Sequence, residues 1–106
     1  MDRNEVNLEG RIGTFLRYLQ TQDKKEYVSL AVEVMDNGNS STHSTIYVRC
    51  FKPTVVTYLK KVNAKQGNRV VVNGFISSFP MEVKGKQIFG NSVTANSILI
   101  IKVKDE

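Results

Sequence analysis

The chain has 106 residues, of which 41% are hydrophobic and 24% are charged. That length favours one domain, residues 1–106, built around one modest core. The apolar and charged fractions are ordinary for a globular protein and argue against wholesale disorder. Fifteen basic and ten acidic residues give a formal net charge of +5. A basic excess of this size suits a polyanionic partner without identifying one.

The single cysteine and the short apolar runs bear on disulfide bonding and on membrane association. With only Cys50 present, an intrachain disulfide is impossible. We expect Cys50 to be a small buried side chain, because it lies on the apolar side of a predicted strand. No apolar run reaches the ~18 residues of a membrane helix, and none at the N-terminus resembles a signal peptide. We therefore expect a soluble, cytoplasmic protein with no membrane partner.

Two strands are predicted in the first third of the chain. Apolar and polar residues alternate over Val6–Phe15, which indicates a strand. Gly10 and Gly13 within it predict a bulge or a sharp bend. A polar connection follows at residues 20–26, and the alternation resumes over Tyr27–Val34.

A loop and a third strand come next. Residues 35–44, "MDNGNSSTHS", are predicted to be a loop, because Asn37-Gly38 is a strong turn signal and the serines extend it. Residues 45–51, "TIYVRCF", are predicted to form the third strand. Its two faces differ in character. The face predicted to be buried is apolar and comprises Ile46, Val48 and Cys50. The other face carries two aromatic rings and a guanidinium, and comprises Thr45, Tyr47, Arg49 and Phe51.

One helix and two further strands are predicted in the second half. Pro53 ends strand pairing and suits the first turn of a helix, which is predicted over residues 54–65. The fourth strand is predicted over Arg69–Phe79. Residues 80–87, "PMEVKGKQ", are predicted to form a basic hairpin tip. A long strand or a bent pair of strands is predicted over Ile88–Val103.

The order of elements predicts the fold class. Short alternating strands favour an antiparallel barrel or sandwich, and the alternation alone leaves both open. A single helix between the third and fourth strands is the arrangement of an OB-fold. The element order thus predicts an all-β domain, and the family resemblance of the next stretches favours the barrel over the sandwich: a five-stranded OB-fold barrel with one helix between strands 3 and 4.

Several stretches, in this order, resemble bacterial single-stranded DNA-binding proteins. They are "NEVNLEGRIG", "VSLAV", "TIYVRCFKP" with the following "YLKK" and "GNRVVVNGFI", and "VTANSILII", and together they cover nearly the whole chain. The short length, "GNRVVVNGFIS" and the basic tip also resemble the primosomal replication protein N (PriB) family. The resemblance implies single-stranded DNA as the partner. It also implies a homodimer or homotetramer assembled through outer strands.

Two features depart from that family. The chain ends "IIKVKDE", without the linker and acidic, hydrophobic tip that usually follow in the bacterial proteins. Recruitment of repair enzymes through such a tail is therefore not expected from these residues. There is also no tryptophan, on which the family often stacks bases. Thr45 falls where one such aromatic would lie, whereas Phe51 matches another aromatic position on the same strand.

The aromatic face of the third strand is the first candidate site. Binding of single strands without sequence preference needs flat side chains for bases and cations for phosphates. Tyr47, Arg49 and Phe51 supply both on one strand face, and the guanidinium can itself stack. The alternative is that these rings cover a subunit interface or the helix.

The remaining candidates are cations and aromatic residues in the two hairpins and on the first strand. Arg11, in the middle of that strand, is favoured over Arg17. In the hairpins, the alternative is a solvated turn with lysines that protect a sheet edge. The set comprises Arg11, Lys24, Lys25, Tyr27, Phe79, Lys84, Lys86 and Phe89.

No catalytic or metal site is expected. His43 is the only histidine, and the ten acidic residues are scattered along the chain. No glycine-rich phosphate loop is present either. We therefore expect no enzyme activity, no metal and no cofactor.

The sequence thus favours one function and leaves two rivals. The favoured function is binding of single-stranded DNA with little sequence preference, which would protect the strand during DNA replication or recombination. One rival is a PriB-like primosome component that also recruits replication proteins. The other is a protein-interaction module with no nucleic-acid role.

Overall fold

The computed structural model describes residues 2–36 and 39–101. It contains five strands and one helix in the predicted order: β1 (Val6–Gln20), β2 (Glu26–Asp36), β3 (Asn39–Cys50), α1 (Pro53–Lys61), β4 (Arg69–Val83) and β5 (Lys86–Ile101). The strands form a closed barrel in the order β1-β2-β3-β5-β4. All neighbours are antiparallel except β3 and β5. The predicted OB-fold, with its helix between strands 3 and 4, is confirmed.

Barrel closure depends on β1, which belongs to both halves of the barrel. Its first half pairs with β4 and its second half with β2. The pairing with β2 shifts register between Ile12 and Leu16, so the predicted irregularity is confirmed. A Cβ atom on Gly10 would lie 2.2 Å from the backbone oxygen of Glu33. Only glycine therefore allows β1 to approach β2 this closely where it changes partners.

The core consists of the inward residues of all five strands together with one side of α1. Val56 and Leu59 are the buried residues of the helix, and they close one end of the barrel. The hydroxyl of Tyr58 accepts a 3.0 Å hydrogen bond from the backbone N–H of Ile100, which attaches α1 to β5. Cys50 is fully buried, and burial raises the pKa of its thiol, as expected of a structural cysteine.

The helix is shorter than predicted. Pro53 stands in its first turn, as expected, but α1 ends at Lys61 rather than at residue 65. Asn63, two residues after Lys61, has φ of 58°, a left-handed conformation with which the helix cannot continue. No glycine stands at this point of the chain, so the pattern of residues did not reveal where the helix ends.

The predicted loop at residues 35–44 is wrong over most of its length. β2 continues to Asp36 and β3 already begins at Asn39, with Val34 paired to Ser44 and Met35 to His43. The turn predicted at residues 37–38 lies outside the described residues. Serine and threonine here form a strand because the neighbouring strand supplies hydrogen-bond partners, which a local turn signal does not reveal.

The hairpin that joins β4 to β5 is also more regular than predicted. β4 continues past Phe79 to Val83, and the turn consists only of Lys84 and Gly85, with φ of 52° and 79°. Positive φ at both positions is typical of a type I′ turn. Beyond the barrel, residues 75–92 form a two-stranded hairpin that we call the β4–β5 arm.

Pro80 lies within β4 without breaking the arm. The side chain of Asn4 bonds both backbone groups of Ile76, at 2.7 and 2.9 Å, so these groups point away from β5. Backbone direction alternates along a strand, so Pro80 also directs its missing donor to the free edge. A proline at this edge opposes pairing with another strand.

Candidate nucleic-acid interface

The strand register places aromatic and cationic side chains on one outer surface of the barrel. Arg17 of β1 lies opposite Ser29, Ser29 opposite Arg49, and Arg49 beside Thr94 of β5. This row crosses four strands. Aromatic residues flank it on β1, β2, β3 and the β4–β5 arm. We call this surface the aromatic face; it comprises Phe15, Arg17, Tyr27, Tyr47, Arg49, Phe51 and Phe79.

At one end of the aromatic face, Tyr47 packs against Phe15. Their ring centroids are 6.4 Å apart and the rings are nearly perpendicular, at 76°. The guanidinium carbon of Arg17 lies 4.9 Å from the centroid of Phe15. Ala31, the cross-strand partner of Tyr47, points to this same surface yet is only 4% exposed. Tyr47 itself is 58% exposed, so its ring remains available to a ligand.

At the other end, Tyr27 and Phe51 form a stacked pair. Their centroids are 4.8 Å apart and the rings are inclined by 28°. At this separation no base fits between them, so Tyr27 covers one face of the Phe51 ring and leaves the other face for a ligand. Phe51 is 47% exposed and presents the outer ring surface. Lys25, in the β1–β2 turn, lines the same shallow pocket as Phe51, which places a cation beside this ring.

Between these ends, Arg49 reaches across β5 to the β4–β5 arm. Its guanidinium carbon lies 4.8 Å from the ring centroid of Phe79. On the same side of the arm, the hydroxyls of Ser77 and Thr94 are 2.7 Å apart, which joins β4 to β5 next to Arg49. Arg49 is therefore held by a ring rather than by an acid.

The charges of the aromatic face are not neutralised. Within the described part of the chain, the ion pairs are Lys60–Glu26, Arg69–Glu9 and the weaker His43–Glu33 contact. None of them includes Arg17 or Arg49. Both guanidiniums therefore keep donors for a ligand such as phosphate.

The lysines of the two hairpins are exposed cations at the border of the aromatic face. Lys24 has φ of 64° in a turn that is closed by a 2.9 Å bond from its N–H to the carbonyl of Thr21. Lys86 pairs with Val83, and the alternation places it on the Phe79 side of the arm. Lys84 lies in the turn itself. No described contact fixes these lysine side chains, so they add charge rather than geometry.

Two candidates lie elsewhere. Arg11 stands between Glu33 of β2 and Arg69 of β4, next to the 3.1 Å Arg69–Glu9 ion pair. We call this the second surface; it comprises the outward residues of the β1–β4–β5 sheet, Asn7, Glu9, Arg11, Arg69, Val71, Asn73, Ser97, Leu99 and Ile101. Phe89 lies on the side of the arm away from Phe79 and is 70% exposed.

Two residues of the aromatic face were missed. The predicted first strand ends at Phe15, and the prediction favoured Arg11 over Arg17. A signal was present: Phe15, Arg17 and Leu19 continue the alternation after the bulge. If the first strand had been extended to Gln20, this series would have predicted that both side chains share a face with Arg49.

The described residues contain no cluster of metal-binding side chains and no helix that could span a membrane. In residues 2–36 and 39–101, no group of three or more His, Cys, Asp or Glu side chains could hold a metal ion. The one described helix is too short and too polar to cross a membrane.

The pKa of Tyr18 is raised by burial, and the Lys60 ammonium lies 4.9 Å from the centroid of its ring.

This geometry defines a class of fold: an OB-fold barrel that carries cations and aromatic rings along one outer face. No family model matches the chain, and no curated protein matches it in sequence. Solved structures match in fold. A mitochondrial single-stranded DNA-binding protein from S. cerevisiae, Rim1, has a TM-score of 0.77 at 17% identity, over 96% of this chain and 98% of that one.

Two further structures extend the likeness. The P. falciparum SSB in complex with ssDNA has a TM-score of 0.77 at 11% identity, over 96% of this chain and 97% of the other. The dimeric N-terminal domain of PriB from Thermoanaerobacter tencongensis has a TM-score of 0.69 at 21% identity, over 94% and 98% of the two chains. At these identities the likeness establishes the fold.

Proposed function

We propose that this protein binds single-stranded DNA with little sequence preference and so protects it during replication or recombination. The observation that carries the proposal is the aromatic face. Over four strands, rings lie side by side with guanidiniums that have no acidic partner among the described residues. Bases need flat surfaces and phosphates need cations, and here both alternate along one path.

The mechanism is passive. Bases stack on the exposed rings of Tyr47 and Phe51, with each stack worth about 1–3 kcal/mol. Phosphates contact Arg17, Arg49 and the hairpin lysines. Because stacking does not depend on base identity, it gives affinity without sequence selection. The strand stays unpaired because its bases are occupied by the protein.

The structural neighbours support this function. Three of the matching structures are single-stranded DNA-binding proteins or PriB, and one was solved with ssDNA. The sequence-based prediction that Arg11 and Phe89 contact DNA is untested, and the strand path proposed here does not pass over these two residues.

A homo-oligomer is part of the proposal. Leu99 and Ile101, on the second surface, are 56% and 37% exposed, and a second copy could cover them. The PriB neighbour is dimeric. Joined subunits also gain affinity on one long strand through effective concentration. Sedimentation equilibrium of the wild type and of Leu99→Glu tests the assembly; a monomeric wild type overturns it.

Fluorescence anisotropy tests DNA binding directly. The probe is a labelled oligo-dT of about 35 bases, compared with a duplex of equal length, at several salt concentrations. The six cations of this path are Arg17, Arg49 and the four hairpin lysines, and at about 0.7 per phosphate contact they predict a slope of roughly −4 in log K against log salt. Preference for the single strand with such a slope supports the proposal. Absent binding, or equal binding to the duplex, overturns it in favour of a protein-interaction module.

A PriB-like role is the second candidate, and Phe89 favours it. Its ring is 70% exposed on the side of the arm that faces away from the proposed strand path. Such a ring suits a replication protein that binds while DNA occupies the aromatic face. Binding of a purified replicative helicase, abolished in Phe89→Ala while oligo-dT binding is kept, would add this role. Unchanged or absent helicase binding would remove it.

A further inference from the structure

We propose that Gly90 is a positioning residue for DNA binding: its missing side chain allows Phe79 to lie across β5 and hold Arg49. The inference rests on the proposed function for its consequence, although its geometric part can be tested without DNA. Gly90 was not among the candidates suggested by the sequence, and it touches no ligand itself. Its effect is transmitted through two contacts.

The first contact is between Gly90 and the ring of Phe79. The two residues are directly paired in the arm. A Cβ atom on Gly90 would lie 2.7 Å from Cζ of Phe79, 3.1 Å from its Cε2 and 2.9 Å from Sδ of Met81. Separations below 3.0 Å are essentially never found for real Cβ atoms. Any side chain at position 90 must therefore displace the ring.

The backbone does not explain the glycine. Within the described part of the chain, the glycines with positive φ are Gly67 and Gly85, so Gly90 has a conformation open to other residues. Alanine at position 90 would meet no backbone strain. A strand interior also gains from a side chain, because glycine there costs conformational entropy. The space that the ring occupies is what requires glycine here.

The second contact is between Phe79 and Arg49. The guanidinium lies over the ring at 4.8 Å, with no carboxylate partner in the described residues. A guanidinium stacked in this way is restrained in orientation while its N–H groups stay free at the edge. The ring thereby presents Arg49 for phosphate contact and lowers the entropy lost when a strand binds.

The variant Gly90→Ala tests the geometry in the DNA-free protein. Side-chain protons of Arg49 that lie over the Phe79 ring have NMR resonances moved upfield by the ring current. We expect Phe79→Ala and Gly90→Ala both to remove this displacement. Gly85→Ala is the matched control, because it strains the arm at its turn but its Cβ meets no atom within 4 Å. An Arg49 spectrum in Gly90→Ala identical to that of the wild type overturns the proposal.

The binding consequence is measured with oligo-dT at several salt concentrations. We expect Phe79→Ala to weaken binding by at least about fivefold, because Arg49 loses the ring that orients it for its phosphate. We expect Gly90→Ala to weaken binding by at least about fivefold. It should also reduce the salt slope by about 0.7, because Arg49 no longer meets its phosphate. The melting temperature should stay close to that of the wild type.

A double variant identifies the route. If Gly90 acts through Phe79, then Gly90→Ala combined with Phe79→Ala binds no more weakly than Phe79→Ala alone. Additive effects overturn the proposal, as does wild-type affinity in Gly90→Ala. If the wild type itself binds no DNA, the proposed function fails, and the Arg49 spectrum still decides whether Gly90 positions the ring.

Discussion

The aromatic face and the second surface are built from similar residues and differ in where the acids lie. Both carry arginines and exposed apolar side chains. On the second surface, Arg69 pairs with Glu9 at 3.1 Å, and Arg11 stands opposite Glu33. On the aromatic face, Arg17 and Arg49 lie on rings instead. A phosphate binds a cation most readily where no carboxylate already neutralises it, so charge count alone does not locate the site.

Removing both exposed rings should have the largest effect on DNA binding. Tyr47→Ala combined with Phe51→Ala deletes two stacking positions, and we expect a decrease of about 2–6 kcal/mol in binding free energy to oligo-dT. The matched control is Leu99→Ala combined with Ile101→Ala on the second surface, measured at subunit concentrations that preserve its assembly. Equal decreases in both double variants would show that the two surfaces do not differ as described.

Truncation of the core should lower stability without distinguishing the two surfaces. Leu59 is fully buried under the barrel, so Leu59→Ala should lower the free energy of unfolding by about 2–5 kcal/mol. Urea denaturation measures this change. The folded fraction should bind oligo-dT with wild-type affinity, because the Leu59 side chain is fully buried in the core and forms no part of the aromatic face. A large drop in affinity of fully folded protein would mean that the helix takes part in binding.

Phe15 tests how far the aromatic face extends. Phe15→Ala removes the ring that supports Tyr47 and carries Arg17, so we expect oligo-dT affinity to fall by about 1–3 kcal/mol. Phe89→Ala, on the far side of the arm, is the control for removal of an exposed ring. A Phe15 variant with unchanged affinity would confine the site to β2, β3 and the arm.

The smallest effect concerns charge alone. We expect Arg49→Gln to lower the salt slope by about 0.7, because the variant has one cation fewer for the phosphates. Arg69→Gln should leave the salt slope unchanged, because Arg69 lies on the second surface and pairs with Glu9 instead of a phosphate. Loss of this exposed ion pair should change stability by only about 0.2–1 kcal/mol. Titrations at matched salt concentrations compare the two variants directly. A larger slope change for Arg69→Gln would place the strand on the second surface.

The strands and the outer residues of β3 were predictable because both follow from alternation. Tyr47, Arg49 and Phe51 do share one outer face, as the pattern indicated. The loop at residues 35–44 was wrong because local turn signals do not register a neighbouring strand. The contact between Arg49 and Phe79 was beyond prediction, since the residues are far apart in sequence and meet only when the barrel closes. Their roles in DNA binding stay predictions.

The pairing of β3 with β5 has a mechanical consequence. Within the described ranges, two positions pair there, Val48 with Val93 and Arg49 with Thr94, whereas the other neighbours share longer ladders. This junction is the barrel's weakest seam, where local opening should begin. A DNA strand that lies over both β3 and the β4–β5 arm would hold β3 and β5 together at this junction. Amide hydrogens of β3 and β5 at this junction should then exchange more slowly when DNA is bound, because the bound DNA stabilises the surface to which it binds.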